Sequence, residues 1–186
     1  MKRIICLWGG PGTGKSTTCA GVYNMLKKEG VNAEMSREYV KDWVWEGRDI
    51  QPGDQTYIMA KQIRKDRILI QSGVDVIITD SPAALAVYYG NKYDTYEREY
   101  PACKAILKQH HEYCKANGYR ADHIFLVREK QYNPAGRLQT GDEAKSIDGE
   151  LLLLLKELNI NFVTLNCNKD VENKIVARTL RCLEDN

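Results

Sequence analysis

What the chain lacks narrows it first. Among its 186 residues no apolar run comes near the roughly 20 residues that a membrane-spanning helix needs. The stretch Ile4-Ile5-Cys6-Leu7-Trp8 is too short for a span or for the core of a signal peptide, so the expectation is a cytoplasmic protein with no membrane partner. The net charge is only +2, and the total therefore supplies no strong hold on a nucleic-acid backbone, although DNA stays open as a substrate. Six cysteines are scattered without a single C-x-x-C pair, which sets aside a metal or redox site in favour of free thiols, several of them buried. Repeats, low-complexity tracts and Pro/Gly linkers are missing as well, and the chain reads as one domain over residues 1–186.

What is present has the balance of a globular domain, 43% hydrophobic and 28% charged. The run Ile4 to Trp8 has strand length and no polar interruption, as in a strand buried on both faces. A glycine-rich turn follows, then a helix with Cys19, Val22, Tyr23 and Leu26 on one face, closed by Gly30. Val31, Ala33 and Met35 alternate as a second strand, with a short helix over 38–45 and a longer one over 54–71. Val76-Ile77-Ile78, residues 123–127, and Phe162, Val163 and Leu165 give three more strands. Ala144, Ile147, Leu151, Leu154, Leu155 and Leu158 trace an amphipathic helix, and Val171, Ile175, Thr179 and Leu183 mark the last one. The alternation predicts an α/β fold in three layers: a five-stranded parallel sheet with helices on both faces. Ligands of such sheets gather at the carboxyl ends of the strands.

Gly9-Gly10-Pro11-Gly12-Thr13-Gly14-Lys15-Ser16 matches the pattern G-x-x-x-x-G-K-[ST] between a strand and a helix. Glycines let the backbone turn its N–H groups toward phosphates, and the helix start adds its positive dipole end. Gly10, Pro11, Gly12, Thr13, Gly14, Lys15, Ser16 and Thr17 are thus the expected ATP contacts. Lys15 reaches the β- and γ-phosphates, and the Ser16 hydroxyl binds Mg2+. Asp80, at the end of Val76-Ile77-Ile78-Thr79, is placed to hold the metal or act at the active site, or else caps a turn ahead of Ser81-Pro82.

Arg37-Glu38-Tyr39 follows the second strand and should emerge at the same rim. Glu38 could take the proton of an acceptor hydroxyl while Arg37 pairs with a phosphate; an exposed helix start is the other reading. Trp43 and Trp45 could stack a base or belong to the core. Residues 128–140, with Arg128, Lys130, Arg137 and the breakers Asn133-Pro134 and Gly136, are too long for a tight turn. They suit a lid whose Arg128 and Arg137 clamp the transferred phosphoryl group, or a solvated basic loop. Asn166-Cys167-Asn168-Lys169 could line an adenine pocket or supply a helix cap at Asn168, and Gln109-His110-His111-Glu112 reads as surface without a partner carboxylate.

Together, the P-loop, Arg37-Glu38-Tyr39, Ile77-Ile78-Thr79-Asp80-Ser81 and Tyr132-Asn133-Pro134-Ala135-Gly136-Arg137 through Thr140 resemble a known group. It comprises small, often phage-encoded P-loop kinase-like proteins of AAA type, related to the ribosylnicotinamide kinase domain of the bacterial NAD-biosynthesis regulator. The resemblance implies the fold of nucleoside and nucleotide monophosphate kinases with a kinase-like lid, and ATP with Mg2+ as donor. The implied acceptor is ribosylnicotinamide, a nucleoside or a deoxynucleoside monophosphate; a modified pyrimidine within DNA stays open, as does a homodimer. Where thymidylate kinases carry Asp-Arg after the third strand, this chain has Asp80-Ser81. The alternative to a kinase is a P-loop ATPase that drives a conformational or partner-binding cycle. Within the kinase reading, the base is Glu38 or Asp80.

Overall fold

In β1 (Lys2–Trp8) the apolar run splits its side chains between two cores, Ile4, Cys6 and Trp8 to one face and Ile5 and Leu7 to the other. This follows from the two-residue period of a strand, and it is why the run needs no polar positions. The structure is a computed structural model and describes residues 1–93, 99–129, 133 and 140–184. The chain continues through α1 (Lys15–Lys28), β2 (Ala33–Ser36), α2 (Lys41–Trp45), α3 (Asp54–Gln71), β3 (Val76–Thr79) and α4 (Leu85–Tyr93). It ends with α5 (Glu99–Ala116), β4 (Tyr119–Val127), α6 (Gly141–Glu157), β5 (Phe162–Asn166) and α7 (Val171–Glu184).

The five strands pair in parallel in the order β2-β3-β1-β4-β5. Helices α1 and α7 cover one face through Cys19, Val22, Leu26, Val171 and Ile175. Helices α3, α4, α5 and α6 cover the other, where Met59, Ile63, Val87, Leu107, Ile147 and Leu151 meet the opposite side of β1. The predicted α/β sandwich with a five-stranded parallel sheet is therefore the observed one. Because β1 is central and its successors lie on both sides, the carboxyl end of β1 is a switch point of the sheet, where a crevice opens. Among the described residues no helix is long and apolar enough to cross a membrane.

Four local readings need correction. The short helix expected over 38–45 starts only at Lys41. The Glu38 and Tyr39 amides are already bonded sideways, to Asp80 Oδ1 (2.9 Å) and Gln62 Oε1 (3.0 Å), which holds that stretch as a loop. Val31 precedes β2 rather than opening it, and β4 begins at Tyr119, four residues ahead of the expected start at His123. Finally, His110 is not surface. It is buried on α5 with its Nε2 3.3 Å from Asp66 on α3, and Ser36 Oγ donates to the same carboxylate at 2.5 Å. Burying such groups is costly unless each finds a partner. Here a chain of partners runs from His110 through Asp66 and Ser36 to Gln62 Nε2, 2.9 Å from Ser36 Oγ.

Candidate active site

The glycine-rich turn leaves β1 at the switch point and enters α1 through Gly14, whose φ of 103° is a left-handed conformation that favours glycine. A Cβ there would come within 2.6 Å of the Cys167 sulfur, so a second constraint falls on the same residue. No side chain caps the first turn of α1, and its amides face the crevice mouth, where an anion is favoured. Inside the loop, Thr13 Oγ1 donates to Gly10 O (3.0 Å), and Lys15 Nζ donates to Gly9 O (2.6 Å) and Gly10 O (3.0 Å).

Helix α6 braces the loop from outside. Asp148 Oδ1 accepts from the Gly10 amide at 2.6 Å, and its Oδ2 accepts from Arg128 Nε (3.1 Å) and Nη2 (3.0 Å). Arg128 Nη2 also reaches the Ala144 carbonyl at 3.4 Å. The approach is so close that a Cβ on Gly10 would lie 2.6 Å from Ala144 O and 2.7 Å from Asp148 Oδ1. Gly10→Ala is accordingly expected to cost about 1–3 kcal/mol, since the backbone carbonyl cannot swing aside as a side chain would. Thermal melts of variant and parent check this; an unchanged melting temperature would show that α6 yields to the methyl group.

Charges converge on Lys15. Burial lowers its pKa, opposed by the carboxylates of Glu38, Asp80 and Asp148, while Arg128 adds to the lowering. Burial raises the pKa of Glu38, the nearby Lys15 ammonium pulls it back down, and Asp80 pushes it up. Asp80 is buried and spends Oδ1 on the Glu38 amide, so it holds the loop that carries Glu38. From Lys15, Ser16 and Glu38 a cavity of about 760 Å³ runs between α3 and the β3–α4 connection. Its walls include Ile58, Met59, Pro82, Leu85, Ala86 and Tyr89.

The structure thus brings together Gly12, Gly14, Lys15, Ser16, Thr17, Pro11 and Glu38 at one end of the cavity, with Asp80 behind them and Arg128 beside the loop. Gly10 and Thr13 of the loop stand outside the lining, and so do two of the expected acceptor contacts. Arg37 is exposed, and the Tyr39 hydroxyl turns to the Tyr57 hydroxyl at 3.2 Å. Trp43 is buried against Tyr39 and Tyr57 with the Arg48 guanidinium 3.3 Å from its ring centroid, whereas Trp45 is 69% exposed. Asn168 accepts from the Asp170 amide at 3.1 Å ahead of α7, a local turn that leaves its place at an adenine pocket open. Arg137, Lys130 and the rest of the expected lid at 130–132 and 134–139 lie outside the described residues. Sequence reasoning missed Gln55, Gln62, Tyr89, Glu99 and Asp148, since none belongs to a motif.

A model described as AAA domain matches residues 4–174 of the chain. The chain belongs to the AAA domain family. No curated protein matches this AAA domain in sequence. Among solved structures its fold is similar to the crystal structure of NadR protein in complex with NR, with a TM-score of 0.68 over 90% of this chain at 17% sequence identity. The likeness covers 46% of that NadR chain, so this AAA domain spans about half its length. The shared architecture is the P-loop NTPase fold, five parallel strands between helices with the glycine-rich loop after β1.

Proposed function

We propose that this AAA domain is an ATP-dependent kinase that phosphorylates a hydroxyl group of a nucleoside-like acceptor. The observation that supports it best is one continuous cavity that joins Lys15 and Glu38 to an apolar pocket of ligand size. ATP bound with Mg2+ would supply the γ-phosphoryl group and the electrophile. Residues 10–17 would hold its phosphates through loop amides and Lys15. The donors available to the metal are oxygens, the Ser16 hydroxyl and the second carboxylate oxygen of Asp80, which suits a hard cation that keeps waters and phosphate oxygens as its other ligands.

Glu38 is the favoured base over Asp80, because it lines the cavity and its burial holds the carboxyl nearer to a proton-accepting range. Arg128 is a clamp held ready by Asp148, and Arg137 the clamp carried by the lid segment. The cavity lining carries Glu38, Asp49, Glu99 and Glu143, and its only described cations are Lys15 at the loop and Lys41. An uncharged or cationic nucleoside therefore suits it better than a monophosphate, which would meet four carboxylates without an arginine fork.

The test is to incubate the protein with labelled ATP and separate panels of nucleosides, nucleoside monophosphates and short DNA. Label should move to one or more nucleosides, and ATP consumption should accelerate when that acceptor is added, because acceptor binding excludes water from the crevice. Fast hydrolysis that ignores every acceptor and yields no phosphorylated product would favour the ATPase instead.

A further inference from the structure

Helix α3 turns one face to the cavity, and that face is patterned. Gln55, Ile58, Met59 and Gln62 all line the cavity at spacings that place them on one side of a helix, with two carboxamides about 10 Å apart across an apolar strip. Both carboxamides belong to residues more than nine-tenths buried, Gln55 at 5% exposure and Gln62 at 3%. Their bonding differs. Gln62 gives Nε2–H to Ser36 Oγ (2.9 Å) and accepts from the Tyr39 amide (3.0 Å), so its orientation is set from below by the Asp66 network. Gln55 makes no side-chain hydrogen bond among the described residues and faces the cavity. A carboxamide that no protein group bonds, set in the wall of an open pocket, is free to pair with a ligand placed there.

The two ends of the strip are also different in kind. The Gln62 end adjoins Glu38, through the Tyr39 amide that Gln62 holds, and with it the Lys15 end of the cavity. The Gln55 end lies at the start of α3 beside Glu99, whose Oε1 accepts from the Thr56 amide (3.0 Å) and hydroxyl (3.3 Å). Between them the apolar Ile58 and Met59 face Pro82, Leu85 and Ala86 across the cavity, walls suited to the flat faces of a ring.

We infer that this face of α3 reads the acceptor base: the nucleoside lies along it with its reacting hydroxyl at Glu38 and its base edge against the Gln55 carboxamide. A carboxamide offers one donor and one acceptor side by side, so the matching base is planar and carries an adjacent acceptor and donor, as an imide, an aminopyrimidine or a ring carboxamide does. This inference rests on the nucleoside-kinase reading, and it is tested by binding rather than by turnover.

Calorimetric titration of uridine, cytidine, adenosine and a pyridine-carboxamide riboside is run on the parent and on Gln55→Leu, beside a phenyl riboside that keeps sugar and ring but has no polar edge. Nucleosides that bind the parent should weaken roughly 10- to 100-fold in Gln55→Leu, while the phenyl riboside binds both proteins alike. ATP affinity should not change and the melting temperature should not fall, since the Gln55 side chain bonds no other part of the described protein. Gln55→Asn, which keeps the carboxamide but draws it back by one methylene, should fall between the two and replaces Gln55→Leu if the latter misfolds. Wild-type nucleoside affinity in these variants would overturn the base-reading role while leaving the kinase reading intact. No nucleoside binding to a parent that still binds ATP would overturn both.

Discussion

Lys15→Ala is expected to keep the fold and lose phosphoryl transfer by about a hundredfold or more. The Lys15 ammonium sits over the loop, on the Gly9 and Gly10 carbonyls, with the carboxylates of Glu38, Asp80 and Asp148 close enough to oppose the effect of its burial. It is thus the cation around which the candidate site is organised, and the only one bonded to the loop carbonyls among the described residues. Arg128 is already held by Asp148 at 3.0 Å. The core side chains of β1 and α1, Ile5, Leu7, Cys19 and Val22, lie beneath the loop and do not involve Lys15. Circular dichroism and thermal melts should therefore match the parent while transfer of labelled phosphate collapses. Parental transfer rates in a pure Lys15→Ala protein would sink the proposed phosphotransferase.

Glu38→Gln should lower kcat by roughly 10²- to 10⁴-fold, the range spanned by a positioned general base, with a much smaller effect on ATP binding. The substitution keeps the shape and the Glu38 amide that Asp80 holds, and removes only the proton-accepting oxygen. Its pH behaviour gives a second readout. Burial raises the Glu38 carboxyl pKa, so in the parent kcat/KM should be fully developed above that raised value and be lost as pH falls through it. The acid limb should therefore lie above the ordinary carboxylate range near 4.5 and should vanish in Glu38→Gln. A pH profile that keeps the same limb in the variant would assign the base to Asp80.

Much of the proposed donor side was legible from the chain itself. A glycine-rich turn between a doubly buried strand and a helix is a local pattern, because the backbone conformations it needs and the lysine it presents are within eight residues of each other. Strand existence was equally local: Ile4 to Trp8 and Val76 to Ile78 carry unbroken apolar runs, and the parallel sheet follows from their alternation with helices. The ends of elements were less so. Lys41 rather than Glu38 opens α2 because Asp80 and Gln62, 42 and 23 residues further along the chain, take the amides that a helix start would use.

Of the proposed acceptor pocket the sequence singled out Glu38, and tertiary structure decided the rest. Gln55 and Gln62 look like ordinary surface positions of a polar helix, and only the packing of α3 against β2 and α4 closes them into a cavity wall. His110 reads as one of two adjacent surface histidines until α5 lays it against Asp66, 44 residues earlier in the chain. Asp148 resembles any charged position on an amphipathic helix until α6 brings it to the Gly10 amide. The physical reason is the same in each case. Apolar periodicity reports which face of an element is buried, but the partner of a buried polar group is fixed by which elements the fold brings together, at sequence separations that no local pattern records.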